Sequence, residues 1–73
     1  MIEEGTTFMT QGQEFRVVYK NEEKNRIAVQ PIDKITWMPR INLLLLIENV
    51  YYKTIYIHSG KNRITLELVR KGD

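Results

Sequence analysis

Residues 13–32, QEFRVVYKNEEKNRIAVQPI, and residues 50–69, VYYKTIYIHSGKNRITLELV, align without a gap at an offset of 37. Five of the twenty positions are identical: Tyr19 with Tyr56, and Lys24-Asn25-Arg26-Ile27 with Lys61-Asn62-Arg63-Ile64. Phe15/Tyr52, Arg16/Lys53, Val18/Ile55, Val29/Leu66, Gln30/Glu67 and Ile32/Val69 are conservative pairs. Upstream, Phe8 falls on Leu45 and Gly12 on Asn49, so a short apolar segment and a turn residue precede each copy. The match predicts one unit of about 36 residues written twice, repeat A over 1–36 and repeat B over 38–73. Little chain is left over, so residues 1–73 read as a single domain.

Each unit reads as three strands. Phe15 to Lys20 is rich in β-branched and aromatic residues. Arg26 to Ile32 alternates, with Ile27, Val29 and Pro31 on one side; Ile64, Leu66 and Leu68 do the same in the second copy. Glu22-Glu23-Lys24-Asn25 and Ser59-Gly60-Lys61-Asn62 suit a type I turn closed by a left-handed asparagine. A three-residue loop there pairs Asn21 with Ile27 and Tyr19 with Val29. It predicts Phe15, Val17 and Tyr19 on the core face, and Tyr52 and Tyr56 likewise.

The first strand of each unit is less regular. Thr6–Thr10 is a weak strand, and Leu43–Ile47 is apolar on both faces. A strand buried on both sides accounts for that pattern; a short helix is the competing reading. Pro31 and Pro39 bracket a connector with room for a helical turn. Two three-strand sheets with one apolar face each must cover one another. The expected fold is all-β: a small six-stranded barrel or sandwich built from two tandem three-strand repeats with pseudo-twofold symmetry.

Composition narrows the chemistry. The chain has no cysteine, hence no disulfide and no thiolate metal site, and its one histidine rules out multi-histidine zinc sites. No metal and no cofactor is expected. Met1-Ile2-Glu3-Glu4-Gly5 lacks the basic lead and apolar core of a secretion signal, and Leu43–Ile47 is too short to span a bilayer. A soluble cytoplasmic domain without membrane contact is the expectation. His58 beside Ser59 falls at a turn, which is not triad geometry, and no phosphate-binding or dinucleotide motif is present. An enzyme is not expected.

The net charge of +2 permits contact with nucleic acid without requiring it. Lys24, Arg26, Lys61 and Arg63 predict two matching basic spots, extended by Arg16 and Lys53 on neighbouring strands. The acidic Glu14, Glu22 and Glu23 lie close in sequence and oppose that potential. The bland alternative is that asparagine makes the turn and the cations are solvated loop residues. A second expectation, from another class, is docking on a protein partner, or as a homodimer, or as a small inhibitor. It would use Trp37 and Arg40 in the connector, Leu44 and Leu46 on the leucine strand, and outward-facing Tyr51. Trp37 has its own bland reading, as a cap on one open end of the barrel.

Overall fold

The computed structural model describes residues 2–72. Six strands run in chain order: β1 (Thr7–Thr10), β2 (Gln13–Asn21), β3 (Arg26–Pro31), β4 (Leu44–Ile47), β5 (Val50–His58) and β6 (Arg63–Lys71). They form one antiparallel sheet in the order β1-β2-β3-β6-β5-β4. The sheet curls until β1 approaches β4, giving a nearly closed barrel. Among the described residues there is no α-helix, only a 3-10 turn at Ser59–Lys61.

Turn chemistry sets the short hairpins. Gln11-Gly12 and Glu48-Asn49 have positive φ at both positions, 49° and 82° in the first and 49° and 65° in the second. That is a two-residue type I′ turn, whose twist matches the strands it joins. Asn25 at φ 55° and Asn62 at φ 52° close the longer loops in the left-handed conformation. The Asn25 N–H donates to the Glu22 carbonyl, and the Asn62 N–H to that of Ser59.

Register repeats through the two halves. Thr7↔Arg16, Phe8↔Phe15, Met9↔Glu14 and Thr10↔Gln13 become Leu44↔Lys53, Leu45↔Tyr52, Leu46↔Tyr51 and Ile47↔Val50, each 37 residues on. The six pairs between β2 and β3 also recur between β5 and β6. Between the halves, Ile27 pairs with Leu66, Ala28 with Thr65 and Val29 with Ile64. The Leu68 N–H carries this seam on to the Asn25 carbonyl. At the matching position on β3 stands Pro31, which has no N–H to give.

The core is Ile2, Phe15, Val17, Ile27, Val29, Leu45, Ile47, Tyr52, Ile64 and Leu66. Phe15 stacks on Phe8 at 5.5 Å and takes the edge of Trp37 at 6.4 Å. Buried Gln13 anchors the connector. Its Oε1 accepts from the Thr36 N–H at 2.6 Å and from the Thr36 hydroxyl at 3.0 Å. The connector has no helical turn; it crosses the barrel end in irregular, mostly extended form.

Three sequence expectations are corrected. First, the long loops hold four residues, so Asn21 pairs with Arg26 and Tyr19 with Ala28. A β-bulge then intervenes between Val17 and Tyr19, and another between Thr54 and Tyr56. Each inserts one residue, Val18 or Ile55, and reverses the faces of the strand beyond it. Phe15, Val17 and Tyr52 remain inside, but Tyr19 and Tyr56 are 54% and 56% exposed. Such bulges bend strands, and a barrel of six short strands needs that bend.

Second, Leu43–Ile47 is neither a helix nor a doubly buried strand. Leu45 and Ile47 face the core, whereas Leu44 and Leu46 are 50% and 51% exposed. A barrel made of one sheet has no outer layer, so the outward face of β4 lies in solvent. Third, Leu68 lies beyond the last residue pair of the β3–β6 seam, Arg26 with Glu67, and is exposed rather than buried.

The two halves also differ at one buried position. Val17 and Thr54 correspond, both almost wholly buried, but the Thr54 hydroxyl has no partner among the described residues. An unsatisfied buried hydroxyl is destabilising. Thr54→Val should therefore raise stability by about 1 kcal/mol. A urea denaturation midpoint that fell instead would show that the hydroxyl is satisfied in solution.

Candidate nucleic-acid interface

Three cross-strand rows cover the outer face of β2-β3-β6-β5. The central row is Tyr19, Ala28, Thr65, Tyr56. Its two small middle residues leave a shallow floor between two exposed rings. Across three strand spacings the tyrosines stand about 14 Å apart along the sheet. The Tyr56 ring meets His58 edge to face at 6.0 Å.

On one side runs Asn21, Arg26, Glu67, Lys53. Glu67 accepts from Arg26 Nε at 3.1 Å with both side chains about 40% exposed, and it is also the cross-strand neighbour of Lys53. Glu67 thus offsets one of the two cations in this row, the one it pairs with being Arg26. On the other side Arg16 pairs with Gln30, and Arg63 follows Ile64 toward Gln30 along the seam. Arg63 in turn pairs with His58. Gln30 stands where the first row has Glu67, so Arg16 and Arg63 are not opposed by a carboxylate within their row.

Lys24 and Lys61 are exposed on their loops. Because β3 and β6 are antiparallel, those loops lie at opposite ends of the seam. Arg26 and Arg63 flank the Ala28–Thr65 pair on opposite sides, about 13 Å apart along the strands. The two Lys-Asn-Arg segments thus bracket the tyrosine row and do not merge into one spot. Of the acidic neighbours, Glu22 pairs with Lys20 at 3.3 Å, as does Glu3, whereas Glu14 shares the outward face of β2 with Arg16 two residues away. Desolvation works against the charge of Lys20, but its hydrogen bonds to Glu3 and Glu22 prevail and raise its pKa.

Of the residues expected to dock a partner, Leu44, Leu46 and Tyr51 share the outer face of β4-β5. Trp37 is half-buried and turned onto Phe15. Arg40 is exposed, its carbonyl accepting from the Leu43 N–H at 3.1 Å. Leu46 and Tyr51 are cross-strand neighbours, Leu44 faces Lys53, and Arg70 lies 4.7 Å over the Tyr51 ring. Tyr51 is half-buried beneath that guanidinium.

Tyr19, Tyr56 and Gln30 are the interface residues that sequence reasoning missed. Tyr19 and Tyr56 were marked by their identity in both copies, but the alternation placed them inside because the bulges leave no trace in residue pattern. No group of three or more His, Cys, Asp or Glu able to hold a metal occurs among the described residues. No helix among them is long and apolar enough to cross a membrane. Compared with known protein families, curated proteins and solved structures, the chain shows no significant match.

Proposed function

We propose that this chain is a non-catalytic small-barrel module that binds single-stranded nucleic acid across the outer face of β2-β3-β6-β5. One observation carries the reading: two exposed tyrosines in one cross-strand row, bordered by basic residues. Base–aromatic stacking tolerates any sequence, and arginine forks phosphate, so the two together suit an unpaired strand. A double helix keeps its bases stacked inside and offers the tyrosines nothing. Arg16, Arg63 and Lys53 contact phosphate in this reading, with Arg26, Lys24 and Lys61 at the margins. The identical register of the halves supports a tandem duplication about a pseudo-twofold axis at the Ala28–Thr65 pair, giving the strand two like half-sites.

Fluorescence anisotropy with labelled single-stranded DNA and RNA and a duplex, across a salt series, tests this. Single strands should bind more tightly than duplex, with affinity falling as salt rises. Arg16→Ala and Arg63→Ala should each lower the salt slope by about one. Arg26→Ala should do less, since Glu67 already pairs with it. Absence of single-strand binding at low salt sinks the proposal.

A second reading rests on exposed Leu44, Leu46 and Met9 at the two sheet edges that do not pair with each other. Uncovered apolar edge strands invite strand-to-strand association. It makes the chain a homodimer joined along β4. Sedimentation that shows a strict monomer at high concentration rules this out.

A further inference from the structure

A pocket of about 220 Å³ opens at one end of the barrel. Ile2, Ile27, Tyr52 and Leu68 make its apolar walls. Asn21, Glu22, Asn25, Lys20 and Arg26 stand at its rim, with the Glu22 carboxylate paired to Lys20 at 3.3 Å. At the offset of 37, Tyr52, Leu68 and Ile2 correspond to Phe15, Pro31 and Pro39. Between those two prolines runs the connector, and its Trp37 ring sits against Phe15. One end of the barrel thus has an aromatic ring from the chain itself on its core aromatic. The other end has a pocket beside Tyr52.

Resting on the single-strand reading above, we propose that this pocket takes one nucleobase of the bound strand. A purine is a planar bicyclic ring of much the same size as the indole at the opposite end. A base differs from an indole in its polar edge, and the rim matches that edge. Burial raises the pKa of Tyr52, with Glu48 adding to this and Lys20 opposing it, so its hydroxyl stays protonated as a donor. Asn21 Oδ1 accepts from the Lys24 N–H at 3.2 Å, which leaves its amide NH2 to donate. Glu67 engages Arg26 at Nε, and the terminal guanidinium nitrogens remain for a carbonyl or phosphate oxygen.

The route is short. Asn21 and Arg26 are cross-strand partners, two residues along their strands from the Tyr19–Ala28 pair. A strand stacked on Tyr19 reaches the pocket mouth after about 7 Å. The pocket lies beside Tyr52, next to the Tyr19 half of the row, so that half-site can both stack a base and enclose one.

The test uses the full chain, isotope-labelled. Adenosine and uridine monophosphates and N-acetyltryptophanamide are titrated separately, followed by a single-stranded oligonucleotide. The mononucleotides should shift the amide signals of Ile27, Tyr52 and Leu68. Leu68→Trp, which fills the pocket, should weaken oligonucleotide binding roughly tenfold with the salt slope unchanged. Tyr52→Phe places in this unit the residue the other unit already has. It should fold, and should weaken binding about fivefold. Oligonucleotide binding of wild-type strength by Tyr52→Phe and by folded Leu68→Trp overturns the pocket assignment and leaves the outer-face reading intact. Shifts from N-acetyltryptophanamide without shifts from mononucleotides overturn it in favour of a protein side chain. Failure of the unaltered chain to bind any oligonucleotide removes the outer-face reading, on which the pocket assignment rests.

Discussion

Replacing Tyr19 and Tyr56 together by alanine should weaken single-strand binding about a hundredfold and leave the barrel folded. Stacking a base on an aromatic side chain contributes about 1–3 kcal/mol, so each ring accounts for roughly a factor of ten. Both rings are more than half exposed, so neither supports the core. The stability loss should stay within about 1 kcal/mol, the scale of strand propensity. Two measurements are required, because a misfolded barrel would also lose binding. Anisotropy reads affinity, and urea denaturation reads the fold. Loss of affinity without change in the salt slope identifies stacking, since phosphate contacts alone set that slope. Unchanged affinity in the folded double variant would exclude the tyrosine row as a platform. Tyr19→Phe and Tyr56→Phe keep the rings and should bind nearly as the wild type does.

Phe15→Ala should leave the protein barely stable, with up to about half of it unfolded at room temperature. Phe15 is 1% exposed and lies between Phe8 and Trp37. Removing a buried phenylalanine side chain costs about 3–5 kcal/mol. A domain of this length has a stability on the order of 5 kcal/mol, with no disulfide to add to it. The loss therefore matches most of what is available. Phe8→Ala removes a partly buried ring from the edge strand and should cost less. Circular dichroism with urea titration ranks the two variants. A Phe15→Ala protein as stable as Phe8→Ala would show that the core relaxes around the cavity.

Much of the architecture was legible in residue order. The repeated Lys-Asn-Arg-Ile word located both long hairpins, because asparagine accepts the left-handed conformation that closes each loop. Alternation found Ile27, Val29, Ile64 and Leu66, because period-two burial is a local property of a strand facing one core. Gly12 and Asn49 marked the type I′ turns for the same backbone reason. Phe15 and Tyr52 were placed inside correctly, since they precede the bulges in their strands.

The candidate site was less legible. Arg16, Lys53 and Arg63 are exposed as expected, but their chemical meaning depends on cross-strand neighbours far away in sequence. Glu67 pairs with Arg26 from 41 residues away, and Gln30 puts no carboxylate at the cross-strand position of Arg16. Leu43–Ile47 illustrates the same point: its composition fits burial on both faces, while a single-sheet barrel covers only the inner one and leaves Leu44 and Leu46 in solvent.

By itself the repeated sequence pattern indicated six strands and an asparagine at the bend of each long loop, because those depend on residues close in the chain; the pairing across those loops came out one residue off, with Asn21 meeting Arg26 and not Ile27. The tertiary structure decided which side two tyrosines face, which cations lack an opposing carboxylate, and which end of the barrel receives Trp37. Each of these follows from closing the sheet. Closure requires the bulges that turn Tyr19 and Tyr56 outward, and it brings β3 against β6 to set the rows. The connector's Trp37 is held against Phe15, and the pocket lies beside Tyr52.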